Sequence, residues 1–239
     1  MPLGSDSTIL ISVDVSAGSQ PAESIVDLCR SVNVVLIGYY PDQDVAPTQV
    51  RQDRKSEAES TVAEISETFR DSGVTVTETL VFTYYRQDSV DYAARKYACD
   101  AVLTLERTEC IERILVPIRG DTNLERIVSL LGDVMRGSDA SATFFHSVME
   151  NSDPTRGEFL VRGAADRLSQ SGIDRDRIDW RLSDDASPQE EIIELGEEYD
   201  LLVLGETKPS LRHRILGSVP NRIVDEVDTP AFIVRDADE

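Results

Sequence analysis

Short apolar runs alternate with amphipathic segments along the whole chain, and this alternation restricts the fold more than any other feature. Residues 8–13 and 34–40 are mostly apolar and often β-branched, as in strands covered on both faces. Between them, residues 22–32 place apolar side chains at helical spacing. Strands that alternate with helices across short links form parallel sheets with helices on both faces. The sequence therefore predicts an α/β, doubly wound architecture.

The same alternation continues to the end of the chain. The other predicted helices share amphipathic spacing and helix-forming composition, and they are residues 55–69, 87–97, 123–135, 155–171, 188–199 and 218–227. The other predicted strands are short and apolar, and they are residues 74–82, 101–105, 113–118, 141–148, 178–182, 201–204 and 231–235. Residues 42–49 contain Pro47 and polar side chains, which favours a loop.

The order of predicted elements occurs twice, which indicates an internal duplication. Ser72-Gly73-Val74 corresponds to Ser171-Gly172-Ile173, and residues 100–106 (DAVLTLE) correspond to 200–206 (DLLVLGE). We therefore predict two tandem domains, residues 1–109 and 110–239, with two sheets side by side about a pseudo-two-fold axis. The first domain is truncated, because too few residues follow its fourth strand to form the last helix and strand.

Carboxylates dominate the charge of the chain. It carries 45 acidic and 24 basic residues, for a net charge of −21, and its only lysines are Lys55, Lys96 and Lys208. Such a surface resembles that of proteins from salt-accumulating halophiles, where salt screens the self-repulsion. An ordinary acidic protein is the alternative. In either case nucleic acid and anionic lipid are disfavoured as partners, because both require a basic face.

The three cysteines, Cys29, Cys99 and Cys110, are odd in number and far apart, and no Cys/His cluster accompanies them. This pattern argues against a disulfide framework and predicts no metal site. No apolar run is long enough to span a membrane, and the N-terminal residues lack the pattern of a signal peptide. We expect a cytoplasmic protein without direct membrane insertion.

Three segments near the C-terminus resemble those of the universal stress protein family. Residues 200–205 (DLLVLG) match its strand ending in glycine, 216–220 (LGSVP) its Gly-Ser-Val helix start, and 228–235 (DTPAFIVR) its closing strand. Residues 114–118 (ILVPI) are similar to its first strand. The resemblance covers the second copy and the first copy less its end. It implies an adenine-nucleotide α-hydrolase-like fold, a regulatory role, and ATP or another adenine nucleotide as ligand.

The resemblance also implies a set of ligand-binding residues, namely Gly205, Lys208, Gly217, Ser218, Val219, Pro117 and Arg119. Gly205 ends a strand, where a missing side chain lets a ligand approach the backbone. Gly217 and Ser218 begin a helix, whose free N–H groups favour phosphate. Alternatively, Gly217 only makes a tight turn and Ser218 only caps the helix.

Two of these positions depart from the family pattern. Lys208 stands where members have a second glycine, and Arg119 stands where they have an aspartate near the nucleotide base. Asp14 holds the equivalent place in the first copy, which lacks the glycine loop. Lys208 also opens a basic stretch that contains Arg212, His213, Arg214 and Arg222. This stretch either binds an anion together with Arg119 or pairs with nearby carboxylates.

We predict a non-enzymatic regulatory protein that acts through partners and binds an adenine nucleotide at the second copy. The alternatives are an ATP- or AMP-binding stress sensor with an intact site, and a regulatory subunit of a membrane transporter. The loop 206–212 (ETKPSLR) resembles that of transporter-associated tandem members. An enzyme is not indicated, since residues 14–18 and 119–122 match no ligase or synthetase loop and no GxSxG or P-loop occurs. The last strand, residues 230–234, is expected to be an exposed edge that pairs two chains in a homodimer.

Overall fold

The computed structural model describes residues 7–18, 20–41, 48–83, 85–106, 108–121, 123–148, 154–184, 187–206 and 219–235. The strands in these residues are β1 (Thr8–Asp14), β2 (Asn33–Tyr40), β3 (Thr75–Phe82), β4 (Ala101–Thr104), β5 (Arg113–Pro117), β6 (Ser141–Ser147), β7 (Ile178–Ser183), β8 (Leu201–Gly205) and β9 (Ala231–Val234). The α-helices are α1 (Glu23–Leu28), α2 (Thr48–Asp71), α3 (Arg86–Lys96), α4 (Leu124–Arg136), α5 (Pro154–Gln170), α6 (Pro188–Gly196) and α7 (Val219–Glu226).

Three helices differ from the predicted bounds by three residues or more, and one of them is α6, which ends at Gly196 instead of residue 199. The first helix ends at Leu28 and continues as the 3₁₀ turn Cys29–Ser31 instead of running to residue 32. The second begins at Thr48, so the end of the predicted loop 42–49 is helical. Pro47 directly precedes that helix, and proline is well tolerated at a helix start because the first N–H groups have no intrahelical acceptor. None of the helices in the described part of the chain is long and apolar enough to cross a membrane.

The nine strands form one sheet, in the order β3-β2-β1-β4-β9-β8-β5-β6-β7. The α/β prediction is confirmed, and within each half the neighbouring strands run parallel. The prediction of two sheets is wrong, because the antiparallel pair of β4 and β9 joins the halves into one.

Strand β9 lies inside the sheet and completes both halves. Phe232 pairs with Leu103 of β4 on one side and with Val203 of β8 on the other. The Thr104 hydroxyl reinforces the junction by accepting a hydrogen bond from Ala231 N at 2.9 Å. The expectation that this strand is an exposed edge for a homodimer is therefore wrong, since both of its sides are occupied. The truncated first half has no last strand of its own, and β9 takes that place.

Helices cover both faces of the sheet. One apolar core, which includes Phe69, Phe144 and Phe232, runs through both halves beneath α1, α2, α4 and α5. On the opposite face each half has its own core. Helix α3 covers Leu10 in the first half, while α6 and α7 cover Leu202 in the second. Helices on both faces are what a continuous apolar strand pattern requires.

The same contact between an aspartate and the backbone occurs in both halves and fixes the register of the repeat. The Asp100 carboxylate accepts a hydrogen bond from Thr8 N at 2.8 Å, and the Asp200 carboxylate accepts one from Arg113 N at 2.8 Å. In return, each aspartate donates its own N–H to the carbonyl of that partner. Thr8 and Arg113 are therefore equivalent, and counting along the two strands makes Asp14 equivalent to Arg119.

Candidate functional site at the carboxyl edge of the second half

The carboxyl ends of three parallel strands lie side by side in the second half of the sheet. They are the ends of β5, β8 and β9, at Pro117, Gly205 and Val234. We call these strand ends, with the residues that follow them, the carboxyl edge. Ligands of open α/β sheets bind beyond such an edge, because the strands stop there and loops diverge. The sheet thus brings Pro117, Arg119 and Gly205 to one edge, as their predicted shared role requires.

Gly205 is packed against helix α4. A Cβ atom at this position would lie 3.3 Å from Ile127 Cδ1 and 3.9 Å from Asn123 Cβ. The missing side chain therefore lets the first turn of α4 approach the end of β8 closely. This packing role exists independently of any ligand, and sequence reasoning alone did not reveal it.

Asn123 joins the start of α4 to the end of β8. Its Nδ2 donates a hydrogen bond to the carbonyl of Glu206 at 2.9 Å, while Glu206 N donates to Val234 O at 2.7 Å. Asn123 has a left-handed backbone conformation, with φ of 59°. Asparagine is one of the few non-glycine residues that adopts it readily. Asn123 was not predicted from the sequence to belong to the site, although an asparagine directly before an amphipathic run is a usual helix-start signal.

Two arginines and two carboxylates meet where the carboxyl edge adjoins the first half. We call Asp100, Arg126, Glu206 and Arg235 the junction cluster. Arg126 Nη1 donates to the carbonyl of Arg235 at 3.2 Å and lies 3.9 Å from Asp100 Oδ1. Arg235 Nε lies 3.9 Å from Glu206 Oε2, and Arg235 N donates to the Asp100 carbonyl at 2.8 Å. The cluster therefore links the last strand, the end of β8 and helix α4 to the first half.

Cys99 directly precedes the junction cluster and is buried. Burial raises the pKa of its thiol to about 11; nearby Arg235 opposes this rise, and Asp100 adds to it. The thiol is therefore protonated at neutral pH and unsuited to nucleophilic or metal-binding roles.

His146 positions the turn that carries Arg119. Pro117 is paired with Phe145, and the next residue, Ile118, donates its N–H to the Phe145 carbonyl at 2.8 Å. His146 Nδ1 lies 2.7 Å from the Ile118 carbonyl oxygen, which only accepts, so Nδ1 carries the proton. Arg119 follows this fixed turn and is exposed to solvent. Sequence reasoning did not single out His146.

A glycine in α5 makes room for that imidazole ring. A Cβ atom on Gly157 would lie 2.7 Å from His146 Cδ2, closer than real contacts allow. The close approach of α5 to the end of β6 thus depends on glycine. A histidine followed by a helix containing glycine is too weak a signal to reveal this contact from sequence.

In the first half, Asp14 stands where Arg119 stands in the second. Its Oδ1 accepts hydrogen bonds from Ser16 N at 2.9 Å and from the Ser16 hydroxyl at 2.6 Å. The carboxylate thus stabilises its own turn. By the same repeat, Leu105 corresponds to Gly205 and packs against the main core. The two halves therefore present different groups at equivalent strand ends.

The remaining predicted ligand-binding residues belong to the segment before α7 and to the first residue of that helix. Val219 is the first residue of that helix. Lys208, Gly217 and Ser218 lie outside the described residues, as do Arg212, His213 and Arg214. Arg222 is described, and its Nε pairs with Glu226 Oε1 at 2.8 Å one helical turn away. In the described part of the chain, no group of three or more His, Cys, Asp or Glu side chains is arranged to hold a metal ion.

A family comparison identifies the fold. The sequence model described as the universal stress protein family matches residues 111–235, more than half of the chain. The chain belongs to the universal stress protein family. It is a tandem form, in which the second half carries the complete family domain and the first half repeats it without the last helix and strand.

Solved structures share this fold over almost the whole chain. A universal stress protein from Archaeoglobus fulgidus DSM 4304 matches with a TM-score of 0.67 at 12% identity, covering 97% of each chain. The cytoplasmic domain of a prokaryotic cation chloride cotransporter matches with a TM-score of 0.51 at 14% identity, covering 98% of this chain and 97% of its own. A universal stress protein in complex with cAMP matches 53% of this chain and 98% of its own, with 23% identity and a TM-score of 0.45. No curated protein is significantly similar in sequence.

Proposed function

We propose that this universal stress protein is a non-enzymatic regulator that acts through partner proteins and binds one adenine nucleotide per chain. In this proposal residues 1–109 form the truncated domain and residues 110–239 the complete one. The observation that carries it is the difference between the two carboxyl edges. In the first half, β4 leads directly into the connection to β5, and its outer side is covered by β9. Among the described residues, only the second half has a further helix and strand, α7 and β9, after its fourth strand.

The nucleotide would occupy the carboxyl edge. Helix α7 begins at Val219, after β8 has ended at Gly205, and the free N–H groups of a helix start favour a phosphate. The family resemblance assigns the phosphate to Gly217 and Ser218. Lys208 then supplies a cation in place of the second glycine, and Arg119 supplies one beside β5. Arginine and lysine both form charge-assisted hydrogen bonds to phosphate oxygens.

Calorimetric titration of ATP, ADP and AMP with magnesium, in concentrated KCl, tests this proposal. We expect a stoichiometry of one, and loss of binding in Gly217→Asp. The matched control is Gly163→Asp, which adds the same charge on α5, where a Cβ atom meets nothing within 4 Å. If the wild-type protein binds none of these nucleotides, the nucleotide-binding part of the proposal is wrong and only the partner-binding role remains. Two sites per chain would contradict the argument from the first half.

A transporter is the second candidate partner. The cytoplasmic domain of a prokaryotic cation chloride cotransporter shares the fold over 98% of this chain, which supports this candidate. We infer that this protein serves as a regulatory subunit of that kind. Cross-linking in native membranes followed by purification through this chain is expected to recover one transporter in stoichiometric amount. Recovery of only soluble proteins would contradict this candidate.

We further infer that the protein works in a salt-rich cytoplasm. The excess of 45 acidic over 24 basic residues, with only three lysines, is the observation in support. In dilute buffer these charges repel one another, and salt screens them. The thermal unfolding midpoint in increasing KCl tests this inference.

A further inference from the structure

Helix α5 contains a glycine that packing within the described residues does not explain. Gly163 lies in the middle of the helix, and a Cβ atom there would meet no atom within 4 Å. The other helical glycines in the described residues are explained by packing, since a Cβ atom on Gly132, Gly157 or Gly196 would lie within 3.2 Å of a neighbouring side chain. Glycine in a helix interior is destabilising relative to alanine. The missing side chain of Gly163 instead leaves room for a second molecule to approach the helix backbone closely.

The most exposed large apolar side chain in the described part of the chain lies one turn before this glycine. Phe159 is 74% exposed and precedes Gly163 by four residues, so the two are neighbours on the helix surface. The opposite surface of the helix carries Val161, Ala164 and Leu168, which are fully buried in the core. A protruding ring beside an empty position gives α5 an outward relief into which the side chains of a second helix can pack.

Two arginines flank the exposed ring. Arg156 precedes Phe159 by three residues, is exposed, and has no ion-pair partner among the described residues. Arg162 follows Phe159 by three residues, and its guanidinium lies 4.9 Å from the centre of the Trp180 ring on β7. It also pairs with Glu158 at 2.6 Å. Tryptophan and arginine are among the residues most enriched at the energetic centres of protein interfaces.

The surroundings of this ring lack the acidic excess of the chain. Residues 154–182, which comprise α5 and most of β7, contain six basic and five acidic side chains, whereas the whole chain contains 24 and 45. An acidic partner is repelled by the net charge of the chain as a whole. In this region the repulsion is absent locally, and the arginines supply attraction instead.

We propose that Arg156, Phe159, Arg162 and Gly163, which we call the outer face of α5, dock an amphipathic α-helix of a partner protein that is acidic beside its apolar stripe. A large apolar side chain of the partner helix packs over Gly163 and against the Phe159 ring. Carboxylates of the partner pair with the two arginines. A helix fits because the outer face itself follows helical spacing. This inference rests on the proposed role as a regulator that acts through partners, and it names the surface and the class of partner.

Photo-crosslinking tests the docking. The full chain is produced in its natural cells with Phe159 replaced by the photoreactive analogue p-benzoylphenylalanine, and the joined segment is identified by mass spectrometry. We expect one partner, joined through an amphipathic helix with an acidic excess. The same analogue in place of Tyr92, which is 63% exposed on α3, should not join that segment. No cross-link at all, or cross-links only to a basic segment, to lipid or to a second copy of this chain, would overturn the proposal.

A synthetic peptide of the joined segment is then titrated with the purified protein, with fluorescence anisotropy as the readout. Phe159→Ser and the combined change of Arg156→Ala with Arg162→Ala are each expected to weaken binding at least about tenfold. Tyr92→Ser is the matched control for the exposed ring and should bind like the wild type. Circular dichroism verifies that each variant is folded.

Gly163→Ala separates docking from stability. It should raise the melting temperature, because alanine favours the helix, and yet weaken peptide binding about tenfold, because its Cβ atom fills the contact. Ser60→Ala on α2, an exposed change that also favours its helix, should leave binding unaltered. Equal binding by the wild type and Gly163→Ala contradicts the docking geometry. A partner that whole-chain cross-linking recovers through another surface refutes only this inference, whereas recovery of no partner at all refutes the proposed function as well.

Discussion

Removing the phenyl ring of Phe232 is expected to destabilise both halves of the protein together. Phe232 lies at the centre of β9, is fully buried, and packs in the core that both halves share. It pairs with Leu103 of the first half and Val203 of the second. Because one strand completes both half-sheets, the cavity that Phe232→Ala creates lies in the core of both halves and destabilises both.

The size of the destabilisation follows from the complete burial of the Phe232 side chain. Truncation of a buried phenylalanine to alanine costs about 3–5 kcal/mol of unfolding free energy. This is a large fraction of the total, which is about 5–15 kcal/mol for a typical domain. For a chain of this length each kcal/mol lowers the melting temperature by about 2–4 °C, so we expect a decrease of about 6–20 °C.

Amide hydrogen exchange distinguishes one cooperative unit from two. We expect the protection of β1 and β4 amides to fall by the same free energy as that of β5 and β8. The controls are Phe69→Ala and Phe144→Ala, which remove fully buried rings from opposite halves away from β9. If the two halves unfold as one cooperative unit, each control also lowers the amide protection in both halves. The reasoning is refuted if Phe232→Ala leaves β1 and β4 protected, or if each control affects only its own half.

Three further outcomes are expected. Burial raises the pKa of the Cys29 and Cys99 thiols above the ordinary 9.0, to about 11 for Cys99. The unfolded state therefore loses these protons first, so the stability that the buried thiols contribute is complete below pH 9 and is lost as the pH rises through 11. The unfolding free energy measured in urea should therefore fall as the pH rises from 9 through 11; no fall would contradict the burial. Increasing KCl should raise the melting temperature, since the Debye length falls to about 3 Å at 1 M salt; a lower melting temperature would contradict surface repulsion. Lys208→Ala should weaken ATP binding about tenfold in calorimetry, as one charge-assisted hydrogen bond is lost. Lys55→Ala, the same change on α2, should have no effect, and tighter binding in Lys208→Ala would mean that the lysine obstructs the phosphate.

The order and type of the elements follow from the sequence because they depend on local patterns. Residues 34–40 are continuously apolar, and Ser72-Gly73 stops a helix, as Gly73 shows by its positive φ of 86°. The sequence does not indicate which strand pairs with the free edge of β4. An apolar residue such as Leu103 can lie beside any strand, so it does not select β9. The pairing depends on which chain segment reaches it, which is a property of the whole fold.

The candidate site was predictable only in part. Pro117, Arg119 and Gly205 share an edge because parallel strands end together, a rule that applies to any such sheet. The contacts of Asn123 and His146 depend on the close approach of α4 and α5 to strand ends. Such approaches are set by tertiary packing around Gly205 and Gly157, for which a single sequence carries no clear signal.

The position of β9 also affects how the protein is made. Thr104 and Ala231, which are neighbours in the sheet, are 127 residues apart in the chain. The first half emerges from the ribosome long before the strand that covers β4 has been synthesised. Until then, the edge with Leu103 is open to pairing with other nascent chains, and contacts between distant residues form slowly. Folding of the first half is therefore completed by a strand that lies 127 residues further along the chain.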